Sequence, residues 1–168
     1  MIKKIILVLL LLSVTVVSYS AENTVDTIDI DASGLKGKVK AGISLGYPTG
    51  ITAGYRVSNI FEMNGTIGTD FDGITLGGSG LFNIVKFRFE GEIFPLSIGP
   101  AIYIHDHDHS DHHNKHHHTH LDVLCTARLE YDFKEIPLNL FVEAGLGLRV
   151  IEFADTAGSL AIGVRYIF

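Results

Sequence analysis

The stretch SLAIGVRYIF, residues 159–168, alternates between large apolar residues and small or charged ones up to Tyr166, and Ile167 is the one large apolar residue on the second face. Successive side chains of a β-strand point to opposite sides, so the alternation separates two faces. One face carries Arg165 among small residues. The pattern predicts a strand with an apolar face and a face that holds a charge. The apolar face consists of Leu160, Ile162, Val164, Tyr166 and Phe168.

This ending resembles the closing strand of bacterial outer-membrane β-barrels. In those proteins the last strand carries a signal for the barrel-insertion machinery: a glycine, two residues, an aromatic or apolar residue, one residue, and an aromatic residue. Gly163, Tyr166 and Phe168 match this signal, whereas Ala161 stands where a polar residue is usual. The resemblance implies that the insertion machinery is a partner of this chain.

The other end of the sequence predicts export. Lys3 and Lys4 precede an apolar run from Ile5 to Leu12, and small residues follow before residue 21, which is typical of a secretory signal peptide over residues 1–20. The run is shorter than the roughly 20 apolar residues of a membrane-spanning helix. Residues 21–35 are acidic and low in aromatics, and we interpret them as a flexible periplasmic arm.

The composition fits one small domain over residues 36–168. The chain has 18 glycines and no tryptophan, and its apolar residues are dispersed by alternation, which favours strands over helices. Cys125 is the single cysteine, so an intramolecular disulfide is excluded. The 13 Lys and Arg residues are few and scattered, which argues against nucleic acid as a partner.

Eight alternating segments predict an all-β, eight-stranded antiparallel transmembrane barrel with up-and-down connections. The first two strands form a hairpin around Pro48, a broad bend is expected near residues 86–91, and Pro95 and Pro100 suggest bulges. The predicted strands cover residues 39–47, 51–57, 60–69, 74–84, 93–104, 122–133, 139–150 and 159–168.

The distribution of charge distinguishes a membrane barrel from a soluble barrel or sandwich. All charges within the predicted strands fall on the non-apolar face, while aromatic residues such as Tyr47 and Phe61 lie near strand ends on the apolar face, as in membrane-interface girdles. An eight-stranded barrel has an interior just wide enough to be filled by side chains. We therefore predict a narrow lumen in which Lys40, Arg56, Glu62, Asp122, Arg128, Glu130, Asp132, Glu143, Arg149 and Arg165 pair.

Three strings, GISLGYPTGITAGY (residues 42–55), PLNLFVE (residues 137–143) and GVRYIF (residues 163–168), carry a family resemblance. They look like a family of small spirochaete-type outer-membrane barrels of eight predicted strands, with an architecture like that of OmpA or OmpX. The resemblance spans about residues 37–168. It implies a location in the bacterial outer membrane, and it brings no catalytic residues.

All nine histidines lie within residues 105–120, together with three aspartates. Imidazole nitrogen is a ligand for Zn, Ni and Cu, and aspartate can add an oxygen. If the mature chain starts in the periplasm, odd strands run outward, and this segment becomes an extracellular loop between strands five and six. The alternative is a variable solvated loop. The candidate ligands are His105, Asp106, His107, Asp108, His109, Asp111, His112, His113, His116, His117, His118 and His120.

The function predicted from the sequence is a structural or surface-interaction role in the outer membrane, with a histidine-rich loop that binds a divalent metal. We expect no required cofactor, although zinc, nickel or copper is expected at the loop, and we expect membrane lipid and an extracellular molecule as further partners. A small pore is a second class, which a charge-filled lumen disfavours. A lipid-modifying enzyme is a third class, but it needs a positioned nucleophile and base, and His105 with Ser110 lacks an orienting group. The chain is therefore not expected to be an enzyme.

Overall fold

The computed structural model describes residues 38–70, 73–89, 92–111, 114–151 and 155–168, with the backbone alone described at residues 70, 107–111 and 114–118. Eight antiparallel strands follow one another in chain order and close into a barrel, which confirms the predicted fold. The signal peptide 1–20 and the arm 21–35 lie outside the described residues. The strands are β1 (Val39–Tyr47), β2 (Thr49–Arg56), β3 (Phe61–Asp70), β4 (Gly73–Phe89), β5 (Glu92–Asp111), β6 (Asn114–Asp132), β7 (Leu138–Arg149) and β8 (Asp155–Ile167).

The barrel has two rims. The upper rim carries the connections β1–β2, β3–β4, β5–β6 and β7–β8, and the lower rim carries the other three connections together with Lys38 and Phe168. Closure joins β1 to β8 in a continuous register from Lys40↔Ile167 to Tyr47↔Leu160. Because the first and last strands pair, the wall has no free edge, as a strand structure in lipid requires.

The two faces of the wall are inverted relative to a soluble protein. Large apolar side chains point outward, where Ile51 is 68% and Leu146 is 78% exposed. The interior contains buried Lys, Arg, Glu, Asp and Asn side chains. The predicted assignment of faces is therefore confirmed for the described strands, with one exception at the upper rim.

Tyr47 is that exception, because its ring stacks on the inward ring of His105 with the centroids 5.4 Å apart. The sequence placed Tyr47 on the outer girdle. Gly46 precedes it with a φ of 131°, in a region that L-residues rarely adopt. This backbone conformation interrupts the simple alternation at the end of β1 and directs Tyr47 over the lumen.

The histidine-rich segment was predicted as a loop over residues 105–120, and this prediction is wrong for the backbone. Strands β5 and β6 extend through it and remain paired up to Asp111↔Asn114. The segment contains no glycine or proline to interrupt pairing. A ladder already aligned in the barrel wall can therefore continue beyond the rim. His112 and His113 lie outside the described residues.

The β4–β5 connection at the lower rim also differs from the predicted bend at residues 86–91. Strand pairing continues to Phe89↔Glu92, and the irregularity lies instead between Asn83 and Val85 on β4. A bulge inserts an extra residue into one strand and restores the pairing beyond it. Bulges were predicted at Pro95 and Pro100 on β5, whereas the structure has its bulge on the neighbouring strand β4.

Glycine at position 42 is required by the close approach of β1 to β8. A Cβ at Gly42 would overlap the Val164 carbonyl oxygen and lie 2.6 Å from the Arg165 Cα. We predict that Gly42→Ala lowers the free energy of unfolding in detergent by about 1–3 kcal/mol, because the overlap is with backbone that cannot rotate away. Urea titration monitored by the heat-dependent gel shift of the folded barrel measures it.

Gly65 provides the matched control, because it also lies in a strand but a Cβ there would meet its nearest atom only at 4.0 Å. Gly65→Ala should change the unfolding free energy by less than about 0.5 kcal/mol. Equal midpoints for the two variants would show that the β1–β8 seam is not tightly packed.

Candidate functional site

The lower half of the lumen is organised around Arg165 on β8, whose side chain has no solvent exposure. Its Nε donates to Asn139 Oδ1 at 2.9 Å, and its Nη1 donates to Asn64 Oδ1 at 2.8 Å. It also forms ion pairs with Glu62 at 3.2 Å and with Glu130. One guanidinium therefore links β8 to β3, β6 and β7.

Glu62 and Glu130 share further cations from the neighbouring strands. Lys40 Nζ lies 3.1 Å from Glu62 Oε2 and 2.9 Å from Glu130 Oε2. Arg56 Nη2 lies 3.0 Å from Glu62 Oε2. Two like charges held close together inside a protein repel each other, so these cations are what permits both carboxylates to be ionised.

Arg128 connects this group to the middle of the lumen. Its Nε donates to Glu143 Oε2 at 2.7 Å and its Nη1 to Asn64 Oδ1 at 2.7 Å. The Tyr103 hydroxyl donates to the other oxygen of Glu143 at 3.1 Å. The guanidinium Cζ of Arg128 lies 4.9 Å from the centroid of the Phe141 ring, and that of Arg165 lies 4.8 Å from it. The same aromatic ring therefore makes cation–π contacts with two arginines.

These side chains form the lumen network: Lys40, Arg56, Glu62, Asn64, Tyr103, Arg128, Glu130, Asn139, Phe141, Glu143 and Arg165. All are buried. A cavity of about 10 Å³, bounded by Ser44, Thr66, Arg128 and other residues, lies in the lumen beside these side chains. That is close to the space of one water molecule. At the level of the lumen network, buried side chains therefore occupy the interior.

A second polar group lies in the upper lumen. Thr75 Oγ1 is 2.9 Å from His105 Nδ1, and His105 Nε2 is 3.3 Å from Asp122 Oδ2. Arg149 Nε donates to Asp122 Oδ1 at 2.9 Å. The imidazole therefore lies between the Thr75 hydroxyl on its Nδ1 side and the Asp122 carboxylate on its Nε2 side. This hydroxyl–imidazole–carboxylate chain resembles a nucleophilic triad only in composition, because Thr75 is 0% exposed and no substrate reaches it.

The predicted lumen charges occupy three environments. Lys40, Arg56, Glu62, Arg128, Glu130, Glu143 and Arg165 lie in the lumen network. Asp122 and Arg149 form a separate pair above it, with the Arg149 side chain 32% exposed. Asp132 accepts a hydrogen bond from Asn139 Nδ2 at 2.6 Å near the lower rim. The alternation predicted that these residues point inward, but it could not predict which of them form pairs.

Several polar residues of the lumen were not singled out from the sequence. Thr75, Tyr103, Asn64 and Asn139 each bond to a charged or imidazole group. The available signal was that the alternation places them on the inward face. Thr75 and Asn139 lie directly opposite their partners on the next strand, whereas Tyr103 and Asn64 reach theirs across the lumen, so only the three-dimensional register reveals these contacts.

The structure brings part of the predicted metal set into the barrel. His105 lies in the upper lumen rather than in a solvated loop, and His120 is its register partner on β6. Among the side chains that the structure describes, no group of three or more His, Cys, Asp and Glu residues is arranged to hold a metal ion. Asp106 is exposed on the opposite face. Metal binding by the segment stays a prediction.

The proposed insertion signal lies on the last strand. Gly163 faces the lumen beside the Phe141 ring, while Tyr166 and Phe168 are exposed outside with their rings 4.9 Å apart. The outward aromatic pair at the lower rim is compatible with a membrane-interface position. Its role in insertion stays a prediction.

Comparison with solved structures gives the fold. The N-terminal β-barrel domain of Pseudomonas aeruginosa OprF superposes with a TM-score of 0.60 at 12% identity, covering 79% of this chain and 98% of that domain. Ail, the attachment invasion locus protein of Yersinia pestis, gives a TM-score of 0.43 at 14% identity, covering 79% of this chain and 99% of Ail. No protein-family model matches the sequence. No curated protein matches it either.

Within the described residues, no helix has the length and apolar character needed to cross a bilayer. The likeness to OprF shows that the chain has the fold of eight-stranded outer-membrane barrels. At this level of identity it carries no activity, ligand or source organism. The spirochaete-type resemblance therefore stays a prediction.

Arg165 generates a test of the lumen network. We predict that Arg165→Met lowers the free energy of unfolding by about 3–5 kcal/mol, because removing one partner leaves buried carboxylates uncompensated. Lys134→Met is the matched control. Lys134 pairs with Glu92 at 2.8 Å on the surface. The Glu92 carboxylate accepts its hydrogen bond and raises the pKa of Lys134, so the control also removes a charged group.

Lys134→Met should cost less than about 1 kcal/mol, as exposed ion pairs usually do. Urea unfolding of both variants in the same detergent compares the two. If Arg165→Met were no more costly than Lys134→Met, Arg165 would not be a central buried partner of Glu62 and Glu130.

Proposed function

We propose that this protein is a small bacterial outer-membrane barrel with a structural or surface-interaction role, and that its upper β5–β6 extension binds a divalent metal ion. The inverted wall, apolar outside and charged inside, is the observation that carries the membrane assignment. In water such a surface would expose a continuous apolar band, which marks a membrane or protein contact. In lipid the same apolar band contacts apolar lipid chains instead of water.

The fold and the predicted export signal support the outer membrane as the location. Closed barrels and helices are the structures that satisfy backbone hydrogen bonds within lipid. The chain has the fold of outer-membrane barrels, and residues 1–20 have the pattern of a signal peptide. We infer that the lower rim, which carries the ends of the described chain, faces the periplasm and that the upper rim faces the exterior.

The packed lumen favours a structural or interaction role over transport. Arg165, Glu62 and Glu130 lie across the interior and are held by several ion pairs each. A solute would have to displace buried charges from their partners, which costs several kcal/mol per ion. An enzymatic role has less support, because the Thr75–His105–Asp122 chain is enclosed.

The metal assignment is supported by the ordered geometry of the histidine-rich segment. The paired strands hold their histidine positions in a defined register, instead of leaving them on an unstructured loop. Ordered positions lose less conformational entropy on binding. Imidazole-rich sites suit zinc, copper and nickel. We therefore assign the site to a divalent ion of this class.

The membrane orientation is tested by cysteine labelling in a Cys125→Ser background. Thr119 is exposed on the upper extension, and Glu135 is exposed in the lower β6–β7 turn. We expect Thr119→Cys to react with a membrane-impermeant maleimide on intact cells, and Glu135→Cys to react only after the outer membrane is permeabilised. Reaction of Glu135→Cys alone on intact cells would invert the orientation, and recovery in the soluble fraction would contradict the membrane assignment.

The metal assignment is tested by the zinc content of protein purified in detergent without metal-affinity chromatography. We expect stoichiometric zinc after equilibration with Zn²⁺ at neutral pH. Below about pH 6.5, the ordinary imidazole pKa, protons compete for the ligand nitrogens and the affinity should fall steeply. Isothermal calorimetry at neutral and mildly acidic pH measures this change. Absence of saturable binding at neutral pH would refute metal binding.

A further inference from the structure

The register of the β5–β6 extension arranges its histidines in cross-strand pairs. Pairing runs without a bulge from Leu96↔Leu129 at the lower end to Asp111↔Asn114 at the upper end. Three pairs of this ladder, each two residues from the next, are histidine opposite histidine. They are His105↔His120, His107↔His118 and His109↔His116.

All three rungs belong to one face of the extension. His105 faces the lumen, and strand residues two apart lie on the same face. The positions between the rungs belong to the opposite face, on which Asp106 and Thr119 are paired and exposed. The next pair on that opposite face is Asp108↔His117. The lumen-side face of the extension thus collects six of the nine histidines.

The lowest rung already has partners within the barrel. The two ring nitrogens of His105 face Thr75 Oγ1 at 2.9 Å and Asp122 Oδ2 at 3.3 Å. A metal bound by His105 would have to replace one of these contacts. The rung of His107 and His118 lies level with Gly73↔His107, the last pair between β4 and β5, and the rung of His109 and His116 lies beyond it.

The spacing of two adjacent rungs suits a single ion. Directly opposed residues of antiparallel strands have Cβ atoms about 4.5–5.5 Å apart. Consecutive rungs on one face are about 7 Å apart, twice the rise per residue. Four imidazoles placed at the corners of such a rectangle can converge on one ion, and zinc prefers four nitrogen or sulfur ligands in a tetrahedral arrangement.

We propose that the divalent ion is bound on the lumen-side face of the extension, with His107, His118, His109 and His116 as its ligands. Asp108 and His117 on the opposite face are not ligands, and His105 belongs to the polar wall below the site. This assignment rests on the proposed metal-binding function and specifies where on the extension it resides. The ion joins β5 to β6 above the barrel and stabilises the pairing of the extension.

Two double variants at adjacent register pairs test the assignment. His107→Asn with His118→Asn removes one rung from the lumen-side face, and Asp108→Asn with His117→Asn changes the neighbouring pair on the opposite face. Each has two substitutions to asparagine at directly paired positions. Zn²⁺ binding is measured by calorimetry on the full-length mature barrel in detergent, after the heat-dependent gel shift has shown that each variant is folded.

We expect the first variant to raise the Kd for Zn²⁺ by at least about 100-fold, since losing ligands costs more than the 10- to 100-fold loss seen for outer-shell partners. The second variant should bind like the parent. His109→Asn with His116→Asn should reproduce the first result, and it provides the test if the first variant fails to fold.

Other outcomes separate the two proposals. Loss of binding in the opposite-face variant, or equal losses in both, would overturn the ligand assignment while leaving metal binding itself in place. Retention of full affinity without the rung of His107 and His118 would also overturn the assignment. A parent protein that binds no Zn²⁺ would overturn the metal-binding function and the assignment together.

Discussion

The carboxylates of Glu62 and Glu130 impose the main electrostatic constraint on this barrel. They come from β3 and β6, on different sides of the wall, and they meet inside it because Lys40 and Arg165 lie between them. Those two cations belong to β1 and β8, the strands that close the barrel. The ion network therefore connects the paired strands β1 and β8 to the opposite side of the barrel. Barrel closure places the two cations, and the cations stabilise the carboxylates that face them.

The polar interior and the apolar exterior of this barrel complement each other in the membrane location that we propose. In water, replacing buried ion pairs by apolar residues is often neutral or stabilising. In a bilayer the apolar side chains of a barrel contact lipid on the outside. The interior of a narrow barrel therefore does not have to bury them and can contain charged side chains. Phe141 and Tyr103 show how closely it is packed, because the Phe141 ring contacts two guanidinium groups and the Tyr103 hydroxyl donates a hydrogen bond to Glu143.

The sequence predicted the strands and faces because both follow from an alternation with period two. It could not predict the partners of Arg165, because Asn64 and Glu130 reach it across the lumen from strands that do not pair with β8. Asn139 lies directly opposite Arg165 on β7, but only the register shows that pairing. It also misplaced Tyr47, whose direction depends on the backbone at Gly46 rather than on its own hydrophobicity.

The histidine-rich segment shows a different limit. Histidine and aspartate are both polar, so the segment has no apolar alternation from which strand length could be read. Its backbone structure continues that of the barrel wall, where the outward apolar side chains and the inward charged side chains of β5 and β6 determine the register.

The register of β5 and β6 in the barrel wall also determines to which face of the extension each histidine position belongs. A slip of one residue between β5 and β6 would move every side chain of one strand to the other face. Within the wall, such a slip would move Arg128 or Asp122 from the buried interior to the apolar outer face, which is costly in the membrane location that we propose. The register is consequently determined below the rim and carried upward without a bulge. The residues that keep charge inside the barrel are therefore the ones that align His107 with His118 and His109 with His116 above the rim.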